Sequence, residues 1–118
     1  MFIRTYFDLD AWKEGIELAV QVYEYTDGFP KYERYGICSQ MCRAAVSIPS
    51  NVAEGQCKSP KELLHHVSHS RGSLQELMTL LVISERRGYG STALLDGVRH
   101  RAEREGRLLG GLRRSLIP

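Results

Sequence analysis

The chain has 118 residues, 42% hydrophobic and 25% charged, with a net charge of +2 and a mean hydropathy of −0.30. These values fit one small globular domain, and no apolar run approaches the roughly 20 residues that a membrane-spanning helix needs. The first residues, Met1-Phe2-Ile3-Arg4-Thr5-Tyr6-Phe7, meet Asp8 and Asp10 at once, unlike a signal peptide, so a cytoplasmic protein with no membrane contact is expected.

Four helical segments are predicted and no strand. The first spans about 9–26, with Leu9, Trp12, Ile16, Ala19, Tyr23 and Thr26 at steps of three and four on one face. Asp8 is its predicted cap, and Asp27-Gly28-Phe29-Pro30 ends it. The second spans about 33–54, with Cys38, Met41, Cys42, Ala45, Ile48 and Val52 as its apolar stripe. Pro49 lies inside it and deprives the Ala45 carbonyl of its usual partner, so a continuous but bent helix is expected, with Gly55 as its stop.

The third helix, about 60–87, has the clearest start. Ser59-Pro60-Lys61-Glu62 combines an N-cap serine, a proline at the first helical position and a glutamate at the third. Leu63, Val67, Leu74, Leu77, Met78 and Leu81 form its stripe, and Gly88-Tyr89-Gly90 breaks it. The fourth, about 92–116, buries Leu95, Val98, Ala102, Leu109, Leu112 and Leu116. Gly106, Gly110 and Gly111 each weaken it by roughly 1 kcal/mol relative to alanine, unless they allow close helix approach. Connections this short favour antiparallel neighbours, hence an all-α up-down-up-down four-helix bundle over 1–118.

Chemistry-bearing motifs are sparse. No phosphate-binding glycine loop and no G-x-S-x-G elbow occurs. Cys38, Cys42 and Cys57 are odd in number, and no disulfide framework is expected. His69 lies four residues from His65 and three from His66, so either pair could share a helix face, but a metal needs a third ligand and no Glu-x-x-His pattern accompanies them, so neither a metal nor another cofactor is expected. Gln40, Arg43, Ser47, Asn51 and Glu54 make a polar ribbon beside the second stripe. It reads as a solvated face, as a hydrogen-bonded network, or as a site at subunit junctions around Arg43, Asn51 and Glu54.

Charge is uneven. Residues 1–58 carry six Lys/Arg against eight Asp/Glu, whereas residues 84–118 carry eight Arg against four Asp/Glu. Arg104, Arg107 and Arg114 fall near one face of the fourth helix and are the candidate contacts to RNA or DNA, with Glu103 and Glu105 diluting the patch.

Residues 39–55 read S-Q-M-C-R-A-A-V-S-I-P-S-N-V-A-E-G. This resembles the signature of the 23S rRNA-intervening-sequence protein family, also called four-helix bundle proteins. Phe7-Asp8-Leu9 with Trp12, Phe29-Pro30 with Glu33-Arg34-Tyr35-Gly36, Ser59 with Lys61-Glu62, Gly72 to Leu77, Gly111-Leu112 and Ser115-Leu116 agree in order. The resemblance implies an antiparallel four-helix bundle that assembles into a ring-like homopentamer, with no enzymatic activity and no small-molecule substrate. It marks Ser39, Gln40, Arg43, Ser47, Pro49, Asn51, Glu54 and Gly55 as motif and packing positions. A relative of the same architecture assists a retroelement reverse transcriptase and is strongly basic, unlike this chain. Positions equivalent to His66 and His69 are usually apolar in the family. If these histidines face a subunit interface, assembly is expected to weaken below about pH 6.

Overall fold

The computed structural model describes residues 9–118; the predicted cap at Asp8 and the motif residue Phe7 lie outside them. The described residues form four helices and no strand: α1 (Asp10–Thr26), α2 (Ile37–Gln56), α3 (Pro60–Arg86) and α4 (Thr92–Leu116), with a 3-10 turn at Lys31–Glu33. α1 packs on α2 and α4, and α3 packs on the same two. The molecule measures 44 × 23 × 20 Å, so its long axis is about that of α3, roughly 40 Å at 1.5 Å per residue.

The core lies inside this ring. Leu18, Val22, Tyr25, Met41, Ala45, Ile48, Val52, Val67, Leu77, Leu81 and Leu109 are all fully buried. The predicted stripes of α2, α3 and α4 face it, with Cys38, Cys42, Met78 and Leu116 at its margin. α1 departs from expectation. Its buried residues are Ala11, Glu14, Gly15, Leu18, Ala19, Val22, Tyr25 and Thr26; of the predicted stripe, Leu9, Ala19 and Thr26 are buried and Trp12 packs against the core, whereas Ile16 and Tyr23 turn outward. Gly15 explains the choice: a β-carbon there would stand 2.7 Å from Glu105 Oε2 and 3.1 Å from Pro49 Cβ. A helix with two overlapping apolar stripes buries the one whose small residue permits the closer approach.

Helix ends also differ from expectation. α2 starts at Ile37, not Glu33, because Pro30 leads into the 3-10 turn and Gly36 (φ −105°, ψ −115°) separates that turn from the helix. At its other end α2 runs past Gly55, the expected stop, to Gln56. Gly55 is needed for packing: a β-carbon there would sit 2.7 Å from His66 Cβ and 3.0 Å from Leu63 Cα. Pro49 is accommodated within a continuous α2 and is buried.

The cap of α3 is as read from sequence: Ser59 Oγ accepts from Glu62 N–H at 3.2 Å. The helix ends at Arg86 in a Schellman arrangement. Tyr89 N–H reaches Ser84 O at 2.9 Å, Gly88 N–H reaches Glu85 O at 3.0 Å, and Gly88 takes φ +72°. The glycines of α4 do not bring helices together. Gly106 makes only an ordinary 3.5 Å approach to Leu74, and Gly110 and Gly111 face the side chain of Arg114.

Candidate functional site

Part of the polar ribbon on α2 joins a chain of hydrogen bonds along the α2–α3 seam. Lys58 Nζ lies 3.3 Å from His66 Nε2. An ammonium has only protons to offer, so Nε2 accepts and the ring proton sits on Nδ1. Nδ1–H then donates to Asn51 Oδ1 at 3.0 Å. Asn51 Nδ2 donates to Ser47 O at 3.0 Å and to Ser47 Oγ at 3.1 Å. Ser47 Oγ in turn lies 2.8 Å from Ser73 Oγ. Ser47, Asn51 and His66 are thus brought together, and each has a partner inside the chain.

The other ribbon residues do not join them. Gln40, Arg43 and Glu54 are exposed and Ser39 is half-buried. Arg43 and Glu54 are separated by about 16 Å of helix rise, so Arg43, Asn51 and Glu54 do not converge on one point. His69 is exposed, its ring centroid 4.8 Å from that of His65. Among the described residues no group of three His, Cys, Asp or Glu side chains is placed to hold a metal ion.

A second polar cluster lies between α1 and α4. Glu14 is nearly buried and receives two guanidinium groups: Arg101 Nη1 at 2.5 Å and Arg104 Nε at 2.6 Å. Arg101 Nε also donates to Gln21 Oε1 at 3.1 Å. These residues, with His100 and Arg107, line a groove of about 620 Å³. Arg104, a predicted nucleic-acid contact, therefore already has an anionic partner. Arg107 is exposed in the same groove, while Arg114 is exposed beyond it and folds over Gly110.

Beneath this groove lies the residue that sequence reading missed. Glu105, taken as diluting a surface patch, is 0% exposed, and neither carboxyl oxygen has a hydrogen-bond partner. Burial, and secondarily the Glu14 carboxylate, push its pKa up to about 9. The group is a neutral acid at pH 7. The signal was present: Ala102, Glu105 and Leu109 keep the three-and-four step of the α4 stripe without interruption. An acid seated in an apolar register is buried by the register.

The sequence profile of a family described as 23S rRNA-intervening sequence protein matches residues 7–111. No curated protein matches the chain. Among solved structures, a protein of unknown function from the S23 ribosomal protein family of Bacteroides thetaiotaomicron superposes with a TM-score of 0.77 at 16% identity. The alignment covers 87% of this chain and 97% of that one. At that identity the likeness speaks for the fold.

Proposed function

The chain belongs to the family of 23S rRNA-intervening sequence proteins, and from that premise we propose that it serves as a non-enzymatic, cytoplasmic, homo-oligomeric scaffold. Each protomer is an antiparallel up-down-up-down bundle, and the family resemblance sets the expected number at five. The observation that carries the reading is the apolar surface left outside a closed core. Ile16 and Val20 recur along α1 at 37% and 50% exposure, with Val46 at 41% on α2. Side chains of this size on a helical face favour burial against a second copy.

A scaffold without chemistry also fits the polar groups. His66 is separated from Ser47 by Asn51, so the imidazole does not touch that hydroxyl. Glu105 has no exposed atom with which to meet a substrate. Among the described residues no helix is long and apolar enough to cross a membrane. Nucleic-acid contact through α4 is the second reading, and it keeps Arg107 and Arg114 as its unpaired cations.

Sedimentation of the chain and of a variant carrying Ile16→Glu and Val46→Glu tests the proposal. The wild type is expected at a multiple of 13.4 kDa, and the variant at the protomer mass with unchanged helical circular dichroism. A wild-type chain that sediments as a monomer at all concentrations overturns it.

A further inference from the structure

The connection between α1 and α2 presents binding groups that nothing among the described residues occupies. A cleft of about 850 Å³ opens there, between the end of α1, the 3-10 turn and the first turns of α2. Lys31, Arg34 and Arg43 line it against a single acid, Asp27. Among the described residues none of these three cations makes an ion pair or a side-chain hydrogen bond, whereas Arg99, Arg101 and Arg104 of α4 are all paired with glutamates. Two aromatic rings flank the same cleft. Tyr23 is half-exposed, and Tyr35 is 90% exposed. The Arg34 guanidinium stands 6.0 Å from the Tyr35 ring centroid.

This exposure is built into an ordered turn. Glu33 Oε2 accepts from Tyr89 O–H at 2.8 Å, and Gly36 N–H donates to Glu33 O at 3.0 Å. Phe29 packs edge-on to Tyr25, with ring centroids 4.8 Å apart. The segment that carries Arg34 and Tyr35 is held by Phe29 and Glu33 before it and by Ile37, packed against the core, after it, which lowers the ordering cost of binding. The floor is formed by Cys38 and Cys42, thiols that burial keeps protonated, so it adds no charge.

We propose that this cleft binds nucleotide units of single-stranded nucleic acid, with a base stacked on Tyr35 and phosphates held by Arg34, Arg43 and Lys31. A free planar ring beside unpaired guanidinium groups matches both halves of a nucleotide. An acidic peptide would engage the cations and leave the rings idle, and a duplex would hide its base faces. A second copy seated symmetrically on the cleft would bring like charges together. The site is independent of the scaffold reading: it would remain if the protein were monomeric.

Fluorescence anisotropy on the full chain tests it, with a labelled single-stranded RNA of mixed sequence, the same sequence as duplex, and free AMP and UMP as competitors. Expected are preference for the single strand, loss of about tenfold or more in affinity for Tyr35→Ala, and recovery with Tyr35→Phe, which keeps the ring. Arg34→Ala with Arg43→Ala should also lower the salt slope by about 1.4, at roughly 0.7 for each phosphate no longer neutralised. If Arg107→Ala with Arg114→Ala abolishes binding while Arg34→Ala with Arg43→Ala leaves it intact, the contact lies on α4 and the proposal is overturned. Competition that strengthens with strand length assigns the site to a strand; equal competition by AMP assigns it to free nucleotides and overturns the proposal. The proposal is also overturned if Tyr35→Ala binds as the wild type does, if duplex binds equally well, or if polyglutamate displaces the strand as effectively as unlabelled RNA. It is equally overturned if Tyr35→Ala shifts sedimentation instead of binding, which would make the cleft a contact between copies.

Discussion

Glu105 is the residue at which this protein departs furthest from ordinary core construction. A carboxyl that is neutral when folded and ionised when unfolded makes stability depend on pH. Its folded pKa of about 9 lies above the ordinary value of 4.5. The stabilising contribution is thus complete below about pH 4.5, declines as pH rises toward 9, and is gone above that. Within the window each pH unit costs up to about 1.4 kcal/mol. Glu105→Gln removes the titrating group. Urea denaturation from pH 5 to about 9 should show a falling stability for the wild type and a nearly flat one for the variant, with the variant more stable at the alkaline end. Parallel curves would mean that Glu105 is ionised when folded.

Glycine has opposite consequences on different helices. Gly55 sits where α2 meets α3, and a β-carbon there would collide with His66 and Leu63. Gly72, in the middle of α3, has nothing within 4 Å of a β-carbon built on it. Gly72→Ala should therefore stabilise by about 1 kcal/mol, the difference in helix propensity, and raise Tm by a few degrees. Gly55→Ala should lower Tm, because backbone and the base of a side chain must shift apart. Differential scanning calorimetry of the two variants checks both signs. If Gly72→Ala also destabilises, another copy of the chain packs over the middle of α3.

At the level of the whole molecule, what stays outside the core matters most. The apolar side chains on α1 and α2 and the cations at their connection both lie outside the core, yet they respond to salt in opposite ways. Apolar burial is not weakened by screening, whereas phosphate binding falls steeply with ionic strength. Sedimentation in about 1 M salt, where the screening length is only about 3 Å, should therefore leave the oligomer intact while strand binding disappears. Dissociation at high salt would show that charge rather than apolar burial joins the copies. Within the chain, Tyr25 ties the end of α1 to the end of α3: its hydroxyl lies 2.8 Å from Ser84 Oγ and donates to Tyr89 O at 3.2 Å. Through Tyr89 and Glu33 the α1–α2 and α3–α4 connections are held side by side.

The sequence alone determined the four helices, the inward faces of α2, α3 and α4, the serine cap of α3 and the family. All of these follow from local rules: apolar side chains at the helical period, turn residues between them, and one specific run of residues from Ser39 to Gly55. Tertiary packing alone decided which of two apolar stripes α1 would bury, that Gly55 would serve close approach instead of ending α2, that Arg104 would be engaged by Glu14, and that Glu105 would be sealed inside. Each depends on what a neighbouring helix places opposite a residue. Periodicity fixes where a side chain stands on its own helix, but whether it meets a proline ring, a guanidinium or water is settled only when the helices come together.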